Sequence, residues 1–473
     1  MIIRRLYDDK LAQASYLVAC EHSKVALTVD PNRNVDQYIE AAQRDNVRIV
    51  AVTETHIHAD FVSGSRELAK KTGAQLYLSG EGGKDWQYAL ASEAGAHLLG
   101  NGSRFDIGDV QVEAVHTPGH TPEHISFLVT DTAVGNEPMG ALTGDFIFVG
   151  DVGRPDLLER AAGFAGTMEA GARELFKSLS EFRKRPDYLQ IWPGHGAGSA
   201  CGKALGAMPQ STLGYEKLFN WALVETDEQR FVDEVLSGQP EPPAYFATMK
   251  KLNREGPADS PVTVPPRIEV ARIAIAMGNG ATVVDTRLAR DFAIQHARGT
   301  INVPRNKSFL TWAGSLLPYD QDLFFIGDAS DSGRKALMQD LASIGIERIG
   351  GVFGQESIDD LFGAGIVRAT LPEASFRSVA PNGSGSILDV RSRSEYAEGH
   401  IPNAINIPLG ELPRRLNEIP EGPLVVHCQG GSRSAIAASI LQQSGRDDVS
   451  NLPGGFSEWS AGGNKVERGN GAH

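Results

Sequence analysis

His56 and His58 stand two residues apart just after a strand-forming run, Ile49-Val50-Ala51-Val52-Thr53-Glu54, and Asp60 follows two residues later. Side chains spaced this way emerge from one short loop and are offered to one place. A third imidazole, His120, sits in the turn sequence Thr117-Pro118-Gly119-His120-Thr121, and a carboxylate, Asp145, ends the run Leu142-Thr143-Gly144. Two imidazoles and one carboxylate with open positions form the facial set that suits non-haem Fe(II) and O2 chemistry. The expected ligands are His56, His120 and Asp145, with His58 and Asp60 behind them orienting the ligands.

A second reactive group lies near the C-terminus. The apolar run Leu424-Val425-Val426-His427 delivers Cys428, and Gln429-Gly430-Gly431-Ser432-Arg433-Ser434 leads into a helix-like stretch. Glycines let successive backbone N–H groups curl towards the sulfur, and a helix N-terminus adds positive potential. Both effects stabilise a thiolate and the persulfide anion it would carry. Arg433 supplies a fixed charge and a means of holding the loop closed. Cys428 is therefore expected to attack a donor sulfur, store it as Cys–S–S⁻ and pass it to an acceptor.

The elements that must position these groups are legible as alternation. Short β-branched runs such as 25–30 and 110–115 alternate with helical stretches in the first half, and several end in His- or Asp-bearing loops. Residues 188–192 form another such run, leading into Pro193-Gly194-His195. A proline-rich passage over 256–266 reads as a linker, and a second break falls at 380–386. The two pieces beyond the first linker repeat each other. Asp285, Arg287, Phe292, His296 and Ile301-Asn302-Val303-Pro304 recur 104 residues later as Asp389, Arg391, Tyr396, His400 and Ile405-Asn406-Ile407-Pro408. This is duplication of a domain-sized unit rather than a short-period solenoid. The first copy has no cysteine after its central strand. Its loop is Asp328-Ala329-Ser330-Asp331, whose carboxylates would repel a persulfide anion.

A chain of 473 residues suggests about three domains. The formal charge of −14 offers no basic footprint for nucleic acid. No apolar stretch reads as a leader or a membrane span, so a cytoplasmic location away from membranes is expected. Three cysteines, Cys20, Cys201 and Cys428, are too few for a disulfide framework. Cys20 reads as strand packing.

The ordered set from His56 through Asp145 to His195 resembles the metallo-β-lactamase superfamily over about residues 1–245. In that family the loop usually reads HxHxDH, and its last histidine helps hold a second metal. Here that position is Phe61, which cannot donate a lone pair, so the loop looks like the mononuclear persulfide dioxygenase branch. The resemblance implies one Fe(II) per chain. It makes His195 a pocket or hydrogen-bonding group, and it places Arg154 near the iron, where Arg154 would hold an anionic substrate and Asp156 would hold Arg154. Cys201, just past His195, is a candidate for handling persulfide near the same cleft. The Cys428 loop and the Asp389–Pro408 signature resemble rhodanese. Four residues between Cys428 and Arg433 favour sulfur over the phosphate of a related phosphatase loop.

The expected fold is α/β: an αββα metallo-β-lactamase sandwich over 1–250, a degenerate rhodanese-like domain over 267–375, and an active rhodanese domain over 380–473. The expected function oxidises a low-molecular-weight thiol persulfide with O2 to sulfite, then combines sulfite with a second persulfide to give thiosulfate. A homo-oligomer, a dimer or tetramer, is expected. Two alternatives stay open, a binuclear thioester hydrolase related to glyoxalase II and a non-catalytic persulfide carrier or sensor.

Overall fold

Alternation along the strand Gln13–Cys20 lays out the first layers of the architecture. Ala14, Tyr16, Val18 and Cys20 join Val112, Ala114, Phe127 and Leu142 in one buried cluster, whereas Leu17 and Ala19 join Tyr38, Ala41 and Leu68 in another. Successive side chains of a strand point to opposite faces, so a strand buried on both sides lies between two layers. The computed structural model describes residues 1–160, 166–203, 205–259, 263–376 and 385–469. Most of the break expected at 380–386, and residues 260–262 of the linker, lie outside the described residues. By internal contacts the chain divides into two units, residues 1–260 with 342–345, and residues 261–341 with 346–473.

The first unit stacks two six-stranded sheets. The helices Asp36–Arg44 and Ser65–Thr72 cover one outer face, and Met168–Phe182 and Glu228–Leu236 cover the other. This is the αββα sandwich. Register explains where its loops meet. Val25–Val29 and Arg48–Thr53 run parallel with Val29 opposite Thr53, so Asp30 and Glu54 leave the sheet at one edge. Gly140–Gly144 and Gln190–Pro193 also run parallel with Gly144 opposite Pro193, which brings Asp145 beside Gly194-His195. The antiparallel pair Val110–His116 and Ile125–Asp131 closes with His116 opposite Ile125, leaving 117–124 as the connecting loop. Ile125 N–H donates to the Thr55 carbonyl at 2.8 Å and ties this loop to the one carrying His56.

The second unit holds two four-stranded parallel sheets of the same strand order. Its repeated residues do the same work in each. Arg287 is bound to Asp285 and Arg391 to Asp389, both at 2.6 Å. Asn302 donates to the Asp285 and Arg287 carbonyls, as Asn406 does to those of Asp389 and Arg391. Phe292 stacks on His296, and Tyr396 on His400, each with ring centroids 3.7 Å apart. The repeat thus preserves the bonds that join the first strand of each sheet to its edge strand. Among the described residues no helix is long and apolar enough to cross a membrane.

Candidate metal centre and sulfur loop

The sandwich brings His56, His120 and Asp145 together, all buried. Asp145 Oδ2 lies 4.0 Å from His56 Nε2 and 3.5 Å from His120 Nε2. The other ring nitrogens are held. Thr55 Oγ1 donates to Asp30 at 2.9 Å, so it accepts from His56 Nδ1 at 3.0 Å, and His120 Nδ1 donates to the Arg154 carbonyl at 2.9 Å. Both bonds leave an Nε2 lone pair facing the carboxylate. Burial and the neighbouring imidazoles hold the His56 pKa well below its ordinary value, and burial lowers that of His120. Among the described residues neither oxygen of Asp145 has a hydrogen-bond partner, although both are buried. A buried carboxylate without a partner is costly. Two neutral imidazoles aimed at it fit a metal ion.

Gly153 makes part of this approach possible. A Cβ there would lie 1.8 Å from the Asp145 carbonyl oxygen, so only glycine lets the chain pass behind the ligand.

The other expected residues divide by what they touch. His58 Nε2 bonds Asp30 at 3.1 Å. Burial opposes its charge, but Asp30, Glu54 and Asp60 outweigh burial and push its pKa up to about 9. It does not orient His56; Thr55 does. Phe61 is fully buried with its ring 4.4 Å from that of His58. His195 Nδ1 donates to the Ala12 carbonyl at 2.9 Å, and its Nε2 lies 3.4 Å from both Asp60 Oδ2 and Asp145 Oδ1. Cys201 joins Asp60 and His195 in a second buried group of potential metal donors, and burial pushes its thiol pKa up.

The expectation that Arg154 holds substrate is corrected. Its side chain is fully buried, doubly bonded to Asp156 at 2.7 Å, and donates further to the Ala200 and Pro240 carbonyls. With four of its five N–H donors bonded inside the protein, the side chain is a strut, and the backbone carbonyl of Arg154 sets the His120 tautomer.

The sulfur loop follows the strand Leu424–His427 and opens the helix Ser432–Gln443. Gly431, at φ 95°, turns its N–H onto Cys428 Sγ at 3.1 Å, and the Ser434 hydroxyl lies 3.5 Å from the same sulfur. Cys428 is buried while Gln429, Gly430 and Ser432 are exposed around it. Arg433 makes a two-pronged bond to Glu395, 2.7 Å on each arm, so its charge is matched by a carboxylate. It closes the loop against the helix Arg393–Glu398. Gln429 bonds Ser457 at 2.9 Å.

Three contributors escaped the sequence reading. Asp30 takes Thr55 N–H at 2.7 Å as well as His58 and the Thr55 hydroxyl. His124 Nε2 accepts Asp145 N–H at 3.1 Å, its Nδ1 held at 2.8 Å by Thr117. Asn253 donates to the His58 and Phe61 carbonyls at 2.8 and 2.7 Å and accepts from Ser63 N–H at 2.8 Å. Asp30 did carry a signal, a carboxylate ending a buried strand. Asn253 carried none.

Residues 9–195 match the model of the metallo-beta-lactamase superfamily, and residues 377–462 match that of the rhodanese-like domain. A metallo-beta-lactamase from Staphylococcus aureus subsp. aureus COL, known from its crystal structure, is 42% identical; the match covers 75% of this chain and 99% of that one, with a TM-score of 0.67. The uncharacterized protein YqhL of Bacillus subtilis is 40% identical over 94 residues, 20% of this chain and 73% of that protein. A beta-lactamase hydrolase-like protein of Xylella fastidiosa is 25% identical over 250 residues, 48% of this chain, and the chain spans only 53% of that relative. A metal-binding fold that brings two histidines and a carboxylate together, followed by a rhodanese-like domain, indicates an enzyme. The chain belongs to the metallo-beta-lactamase superfamily and carries a rhodanese-like domain behind its metal-binding domain.

Proposed function

We propose that this protein is a persulfide dioxygenase coupled to a sulfurtransferase. The reading rests on one observation: a buried set of two histidines and one carboxylate, with Phe61 in the position of a further histidine, shares a chain with a cysteine cradled by a backbone N–H. Fe(II) held by His56, His120 and Asp145 would bring the persulfide sulfur and O2 together, an orientation advantage of up to about 7–11 kcal/mol. Thr55 and the Arg154 carbonyl accept from the two Nδ1–H groups and so present Nε2, while burial keeps both imidazoles neutral and excludes bulk water from the triad. One persulfide, one O2 and one water give the parent thiol, sulfite and two protons. At the second site the Cys428 thiolate attacks the terminal sulfur of another persulfide, forming Cys–S–S⁻ and releasing the thiol. Sulfite then attacks that outer sulfur, the S–S bond breaks, and thiosulfate leaves with the Cys428 thiolate restored. Gly431 N–H and the Ser434 hydroxyl stabilise the anionic sulfur through both steps.

Oxygen uptake on glutathione persulfide after anaerobic Fe(II) loading tests the first half. It should depend on iron and vanish in His120→Ala.

A second reading, a binuclear thioester hydrolase, is favoured by the Asp60, His195 and Cys201 group, which offers donors beside the first set. Metal content separates the two. About one iron per chain supports the dioxygenase, whereas two zincs per chain with thioesterase activity would make the hydrolase the correct assignment.

A further inference from the structure

The strand Ile301–Asn302 is the edge of the first copy's sheet, and one of its backbone donors is turned out of that sheet. Val303 N–H points inward to the Asp285 carbonyl at 3.0 Å, so Asn302 N–H, one residue earlier, points the other way. An open edge donor must face water or find a partner. Asn302 is fully buried, and its N–H is taken at 2.9 Å by the hydroxyl oxygen of Ser439, in the helix Ser432–Gln443 of the second copy. The hydroxyl proton is committed to the Ile436 carbonyl at 2.7 Å, which leaves Ser439 Oγ as an acceptor. The matching strand of the second copy, Ile405–Asn406, is half-buried, so the closed edge is not a feature of the repeat itself.

The helix on the far side of that bond is the one whose first turn holds the sulfur. Every residue from Ser434 to Leu441 is buried, so this stretch has no face left to solvent. The strand Ile301–Asn302 and the helix Ala289–Ile294 of the first copy pack against it. Gln442 donates to the Thr370 carbonyl at 2.9 Å, and Arg298 pairs with Asp447 at 2.6 Å. The segment leaving the first copy then runs beside the last strand of the second sheet. There Asn451 N–H donates to the Pro372 carbonyl at 2.9 Å, and Ala374 N–H to the Asn451 carbonyl at 2.7 Å. The Asn451 side chain continues to the Gly431 carbonyl at 3.4 Å, inside the sulfur loop.

We propose that the cysteine-free copy is a clamp that sets the position of the sulfur loop, with Asn302 and Ser439 as its positioning residues. Ser439 lies about 10 Å along the helix axis from Ser432. A shift of the helix at Ser439 is carried to its first turn, where Gly431 N–H and the Ser434 hydroxyl meet Cys428 Sγ. The first copy thus acts on the sulfur without touching it. Its use in catalysis rests on the sulfurtransferase reading, whereas the clamp itself does not.

The test compares wild type with Ser439→Ala in the full-length protein. At pH 7 the rate at which iodoacetamide labels Cys428, read at that residue by mass spectrometry, should fall about threefold or more, because the thiolate loses its cradle. Thiosulfate formation from sulfite and glutathione persulfide should lose kcat by a similar factor, with metal content unchanged. A loss of stability alone would do the opposite at the thiol, since opening the fold exposes a buried cysteine and speeds its labelling. Unchanged or faster labelling of Cys428 in Ser439→Ala overturns the clamp. If wild type forms no thiosulfate while labelling still slows in the variant, the sulfurtransferase reading falls and the clamp stands. Should Ser439→Ala not fold, Asp447→Arg sets like charges across the exposed junction with Arg298. Labelling of Cys428 should then slow, and adding Arg298→Asp should restore it. A wild-type rate in Asp447→Arg overturns the proposal.

Discussion

Thr55 decides which nitrogen of His56 faces the ion. Its hydroxyl proton is committed to Asp30, so its oxygen accepts from Nδ1 and leaves Nε2 bare. Removing that oxygen frees the ring to flip or to change tautomer. Thr55→Val should weaken metal affinity roughly 10–100-fold while leaving the fold intact, measured by competition with a chelator and by thermal melting. At this scale the sequence was informative about ligands and silent about their supports. His56, His120 and Asp145 stood out because imidazoles and a carboxylate closed apolar runs or turns. Asp30 lies 25 residues before Thr55, and only the parallel pairing of two strands brings it to the loop. Arg154 was legible as important but misread in role, because its engagement depends on carbonyls at 200 and 240.

The elements converge through register. Asp145 and His195 meet because the strands before them are parallel neighbours, a pairing across some 50 residues that no local pattern announces. Alternation did announce the layers, since Gln13–Cys20 sorts its side chains between two cores. The helix Phe246–Glu255 was the least legible contributor. Asn253 looks like any polar helical residue, yet three backbone groups of the metal loop depend on its amide. Asn253→Ala would leave those buried groups without partners. It should cost at least about 2 kcal/mol in urea unfolding, and the variant should lose metal more readily than wild type. Unchanged stability would mean that the helix is not what holds the loop.

At the scale of the whole molecule, duplication was plain in sequence, and the structure supplies its reason. Each copy repeats the Asp–Arg pair, the asparagine bridge and the stacked aromatic–histidine pair, and in the second copy Arg391 also donates to Gln429 of the sulfur loop. Only the second copy adds a cysteine under a turned glycine amide. The division of labour between metal domain and sulfur loop is the central claim, and product analysis tests it most directly. Iron-loaded wild type given glutathione persulfide and O2 should form thiosulfate, whereas Cys428→Ser should consume O2 at a similar rate and accumulate sulfite. Undiminished thiosulfate from Cys428→Ser, or no oxygen uptake by iron-loaded wild type, would contradict it.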